Sequence, residues 1–174
     1  MPTPTPTTVA PFVVVTEVPA KVYEYKDLAI GFIGSGFEGD WGTAYYTSFR
    51  ETAIALGSTF KYEDRAAGGN RYEIKDFQRF IEDPEVNVIV ISLADVTGWG
   101  ELFQQAKDAG KIVILANRHR HIDEFEDLYA TSVGSDFVEE GRKAGAAMCK
   151  LLESSEMKNV WELVGNEDSP AAKD

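Results

Sequence analysis

The amino-acid sequence predicts an α/β fold with a doubly wound parallel sheet, and three observations carry that prediction. Short, continuous apolar runs rich in β-branched residues recur along the chain, as suits strands covered on both faces. Between them lie segments whose apolar residues return at helical spacing. The turns from strand to helix are short, and strict alternation of this kind implies right-handed crossovers between parallel neighbours.

The elements follow in order. Residues 1–20, MPTPTPTTVAPFVVVTEVPA, hold five of the seven prolines interleaved with threonine, so residues 1–26 read as an extended, semi-rigid linker. Residues 28–33, LAIGFI, form the first strand, ended by Gly34. Trp41, Ala44, Tyr45, Ser48, Phe49, Thr52, Ala53 and Leu56 then mark the inward stripe of a helix that Gly57 stops. Residues 58–63 are the second strand. Residues 70–82 are a helix with Ile74, Phe77, Phe80 and Ile81 inward, closed by Asp83-Pro84.

Residues 87–92, NVIVIS, supply the third strand, and residues 98–109 the third helix, with Leu102, Phe103 and Ala106 inward. Residues 112–116, IVILA, are the fourth strand, residues 118–127 a loop and residues 129–133 the fifth strand. Ser135 or Asp136 caps a long helix reaching about residue 152, and residues 159–164 are a sixth strand.

Composition narrows the function classes. A chain of 174 residues that is 44% hydrophobic fills one sizeable core. Its formal charge of -12 repels phosphate backbones and anionic lipid surfaces, which argues against nucleic acid as a partner. The single cysteine, Cys149, lies in a helical apolar pattern with no general base beside it, so it reads as a buried small hydrophobe. No apolar run reaches the roughly eighteen residues of a membrane span, and residues 11–15 are too short for a signal-peptide core.

Ligands of doubly wound sheets sit beyond the carboxyl ends of the strands, near the reversal of strand order. The polar residues fall there. Ser35, Glu38, Asp40 and Trp41 follow the first strand; Asp95, Thr97 and Trp99 the third; Asn117 and Arg118 the fourth; Ser135 and Asp136 the fifth.

Gly34, Gly36 and Gly39 match the dinucleotide fingerprint, yet the best helix cap is Asp40, and Glu38 and Asp40 would set negative charge against a pyrophosphate. The alternative is an uncharged, hydroxyl-rich ligand, whose C–H faces need an aromatic platform and whose hydroxyls need planar donors and acceptors. Trp41, Trp99 and Phe37 are the platforms on offer, Glu38, Asp40 and Asn117 the acceptors, and Arg118 a forked donor. Trp41 fits a core stripe equally well. Trp99 reads as core first, with Thr97 then a helix cap. His119 and His121 flank Arg120 without a third ligand at a metal-site spacing, and no catalytic nucleophile motif is present, so neither a metal, a cofactor nor a catalytic residue is assigned.

GFIGSGFEGDW, ISLADVTGW, AKDAGKIVILANR and VGSDFVEEGRKAGAAMCKLL, in that order and spacing, resemble the periplasmic sugar-binding proteins of ABC importers, with their type I binding-protein fold, and most of all the ribose and galactofuranose binders. The resemblance runs from about residue 27 to residue 174. It implies that Trp41 stacks on a sugar ring, that Glu38 and Asp40 line the same loop, that Thr97 contributes after the third strand, and that Arg118 binds hydroxyls beside Asn117.

Two departures stand out: Gly42 where members often carry arginine, and Asn117-Arg118 where Asp-Arg is common; together they imply a different or weaker sugar. The resemblance further implies a sugar-binding lobe over residues 27–134 and the start of a second, truncated lobe over residues 135–174, with Lys173 or Asp174 in its first ligand loop and apolar surface exposed beyond Ser135. The implied function is capture of a monosaccharide for ABC permease subunits, in the periplasm or as a cell-surface lipoprotein whose anchor lies outside this chain. The alternatives are a sugar-sensing domain of a regulator or membrane sensor, against which the proline-rich leader argues for the repressor class, and an NAD-dependent oxidoreductase using the Gly34–Gly39 loop.

Overall fold

The structure is a computed structural model that describes residues 22–34, 39–63, 70–93, 98–117, 123–156 and 159–162. The leader over residues 1–20 and the expected ligand residues Glu38, Thr97, Arg118, Lys173 and Asp174 lie outside these segments.

The strands are β1 (Ala29–Ile33), β2 (Thr59–Glu63), β3 (Val88–Ile91), β4 (Ile112–Asn117) and β5 (Thr131–Gly134). They alternate with helices α1 (Gly39–Ala55), α2 (Asn70–Glu82) and α3 (Gly100–Asp108), and α4 (Phe137–Leu152) follows β5. All five strands are parallel, in the order β2-β1-β3-β4-β5. The doubly wound α/β prediction holds, and strand order reverses between β1 and β3. Short 3-10 turns over Tyr25–Asp27 and Asp123–Leu128 were not expected, the second falling in what reads as loop.

Every residue of β3 is buried, because its alternate side chains enter different cores. Ile89 and Ile91 meet Phe77, Phe80, Leu102, Phe103 and Ala106 beneath α2 and α3. Val88 and Val90 join Phe32 and Ala116 on the opposite face, with Tyr45, Tyr46 and Phe49 of α1. Trp99 is wholly buried and meets Phe77 edge-on at 5.3 Å, so it is a core residue and no ligand platform. Trp99, not residue 97, occupies the cap position of α3, since Gly98 at φ 82° turns the chain only there.

Close packing of α2 on the sheet depends on Gly31. A methyl group there would lie 2.7 Å from Cγ of Phe80, whose ring is held in the core. Gly31→Ala is therefore expected to cost about 1–3 kcal/mol by overpacking, read as a lowered midpoint in urea unfolding with unchanged slope.

At the amino ends of the strands, Lys61 Nζ donates to Asp83 (2.6 Å) and Glu85 (2.7 Å), while Lys111 Nζ donates to the carbonyls of Asp83 and Val86, each at 2.6 Å. The hydrogen bond from Lys61 holds the Asp83 carboxyl below its ordinary range. Its contribution to stability is present above the unfolded value, about pH 4, and is lost as pH falls through the lowered folded value. Lys61→Met should flatten that acid limb when unfolding is measured against pH, by lowering stability slightly at neutral pH while leaving the acid end unchanged.

Three expectations need correction. On α1, Ala44, Ser48, Thr52 and Leu56 face solvent, while Gly42 and Ala53 are buried and Tyr46 joins Tyr45 and Phe49 against the sheet, so the true stripe is rotated from the one read. Cys149 is exposed, as no residue of α4 is buried. Residues 159–162 form no strand, having among the described residues no neighbouring strand to complete a ladder, and residues 163–164 of the expected strand lie outside those residues. The expected exposure beyond Ser135 is present, with Leu151 at 78% and Trp161 at 93%.

Candidate functional site

The carboxyl ends of β4 and β5 and the first turns of α1 enclose an open depression of about 270 Å³. Trp41, Tyr45 and Phe49 line it from α1, Ala116 and Asn117 from β4, and Val133, Gly134 and Ser135 from the end of β5.

Gly39, at φ 72°, opens α1, and the Thr43 hydroxyl donates to the Gly39 carbonyl at 3.2 Å. This start throws Trp41 onto the outer side of the first turn, where it is 59% exposed. Its ring lies on that of Tyr45, one turn on, with centroids 5.0 Å apart and planes 13° from parallel. Tyr45 in turn meets Phe49 edge-on at 5.1 Å and Phe32 of β1 at 5.5 Å. An aromatic column thus runs from the sheet to an indole with a free face. The Tyr45 hydroxyl is enclosed and has no hydrogen-bond partner among the described residues, and burial pushes its phenol above the usual value.

Asn117 ends β4 in the left-handed region, at φ 72°, a conformation that asparagine tolerates better than most residues. Its amide nitrogen lies 3.4 Å from the Ser92 hydroxyl, at the limit of a hydrogen bond. It pairs in register with Gly134, where a methyl group would strike the Asn117 carbonyl, its carbon only 3.2 Å away. Asp136, two residues further on, caps α4 by accepting from the amide of Glu139 at 3.1 Å.

Of the expected residues, Trp41 and Asn117 line the same depression, whereas Asp40 is exposed in the first turn of α1 and does not line it. Tyr45 and Gly134 were missed as site residues. The signals were there: Tyr45 stands four residues after Trp41, and Gly134 closes a strand beside Asn117. The helix begins at the third glycine of the fingerprint, Gly39, too late for its positive end to meet a pyrophosphate at the second. Among the described residues no group of three His, Cys, Asp or Glu side chains is placed to hold a metal ion, and no helix is long and apolar enough to cross a membrane. His119 and His121 lie outside those residues.

The periplasmic binding protein domain, as a sequence family, matches residues 30–174. The chain belongs to that family. Within it, the galactofuranose-binding protein of Escherichia coli is 31% identical over 149 residues, 84% of this chain and 45% of the relative. The crystal structure of a galactofuranose-binding protein superposes with a TM-score of 0.76 at 29% identity, covering 84% of this chain and 48% of that one. The binding component of the arabinose ABC transporter of Shewanella sp. ANA-3, bound to α- and β-L-arabinofuranose, gives 0.75 at 29% identity, over 83% and 46% of the two chains. The chain therefore spans about half the length of the relatives it matches, and its parallel α/β fold superposes on theirs.

Proposed function

We propose that this chain is part of an extracytoplasmic solute-binding protein that captures a monosaccharide, without chemistry, and delivers it to ABC permease subunits. The observation that carries the reading is the indole of Trp41, seated on Tyr45 with one face free, beside Asn117 at the carboxyl edge of the sheet. A free aromatic face takes the C–H side of a sugar, and an amide both donates to and accepts from its hydroxyls. The relatives that bind galactofuranose and arabinofuranose support the same ligand class and favour a five-membered ring.

In this reading residues 27–134 form one sugar-binding lobe and residues 135–174 open a second, which closes over the ligand about the crossing at Gly134-Ser135. Glu38, Thr97 and Arg118 add polar contacts from the first lobe, and Lys173 or Asp174 from the second. Asn117 carries an amide and no titratable group, so its contribution is independent of pH. The protein works in the periplasm or at the cell surface as a lipoprotein.

A thermal-shift survey of pentoses, hexoses and NAD tests the function. One sugar should raise the midpoint and NAD should not; a flat response to every sugar would remove the proposal.

A further inference from the structure

The geometry points to Tyr45 as the positioning residue of this site: it fixes the plane of the Trp41 indole before any ligand arrives. A tryptophan in the first turn of a helix, 59% exposed, has several rotamers open to it, and a ligand that needs one of them must order the ring on binding. Here the ring is already ordered, with planes 13° from parallel and centroids 5.0 Å apart. Tyr45 can hold it because Tyr45 is itself held, edge-on by Phe49 at 5.1 Å and against Phe32 at 5.5 Å, and Phe32 is buried in β1. The ring, not the hydroxyl, does the positioning, since the hydroxyl is enclosed and makes no hydrogen bond to any described residue. An aromatic side chain at position 45 is therefore a determinant of affinity for ligands that use the free indole face. That consequence rests on the monosaccharide reading; the ordering of the ring does not.

Tyr45→Phe and Tyr45→Leu separate the two. The Trp41 contribution to near-ultraviolet circular dichroism and to fluorescence anisotropy is defined as the part lost in Trp41→Leu. Tyr45→Phe should keep that part and keep the affinity for L-arabinose or D-galactose, with no fall in the thermal midpoint. Tyr45→Leu should lose it and bind about three- to tenfold more weakly, the range a lost aromatic pair gives. Since Tyr45→Leu also trims the core, rescue by Tyr45→Phe is the decisive comparison. An unchanged Trp41 signal in Tyr45→Leu would overturn the inference whether or not either sugar binds, and so would loss of the signal in Tyr45→Phe. If Tyr45→Leu erases the signal while the unaltered chain binds no sugar of the survey, the positioning role stands and the monosaccharide reading falls.

Discussion

Replacing Gly134 by alanine is expected to cost about 3 kcal/mol, the upper end of the overpacking range, and to lower the melting temperature by roughly 6–12 °C for a domain of this size. The cause is local and has no easy relief. The added methyl group would meet the backbone carbonyl of Asn117, which pairs with Gly134 across β4 and β5 and cannot rotate away as a side chain would. The last rung of the ladder must open, and the opening moves Asn117, which lines the depression. Gly134→Ala should therefore weaken ligand binding as well as stability. Differential scanning calorimetry and titration on the same sample check both, and a variant with native melting temperature would show that the strand ends yield more readily than their register implies.

Trp41→Ala is expected to weaken monosaccharide binding on the order of a hundredfold, in the range of aromatic anchors at the centre of a binding surface, while leaving stability nearly unchanged. The two effects separate because the indole is 59% exposed and contributes one face only, to Tyr45. Calorimetric titration of both proteins with the sugar found in the survey, together with their urea midpoints, checks the split. A large loss of stability with little loss of affinity would return Trp41 to the core stripe of α1.

Most of the architecture was legible because a parallel sheet leaves a strong pattern. VIVI in β3 is apolar throughout since both faces are covered, and α2 begins and ends where its periodicity and Asp83-Pro84 place it. The stripe of α1 departs from its reading for a physical reason: four aromatic residues, Trp41, Tyr45, Tyr46 and Phe49, satisfy two overlapping helical faces, and only packing against Phe32 selects Tyr45, Tyr46 and Phe49. Cys149 failed differently. Its pattern describes a helix with a partner surface, and pattern alone does not say whether that surface is within the same stretch of chain.

The site was legible in its place and in three residues, Ser135 being the third. Position after a strand singled out Trp41 and Asn117, which the fold brings to one depression from elements far apart in sequence. Tyr45 was hidden because its role is exerted through another side chain, and Gly134 because its role is to have none. Glu38, Thr97, Arg118, Lys173 and Asp174 keep the status of proposed contacts.

The most direct measurement is the response of the three indole N–H resonances of Trp41, Trp99 and Trp161 in ¹⁵N-labelled protein during titration with L-arabinose, D-galactose and, separately, NADH. A monosaccharide site on the free face of Trp41 predicts saturable movement of the Trp41 resonance with one sugar, stillness of the buried Trp99, and no response to NADH. Saturable shifts with NADH, or sugar shifts confined to Trp161, would contradict it.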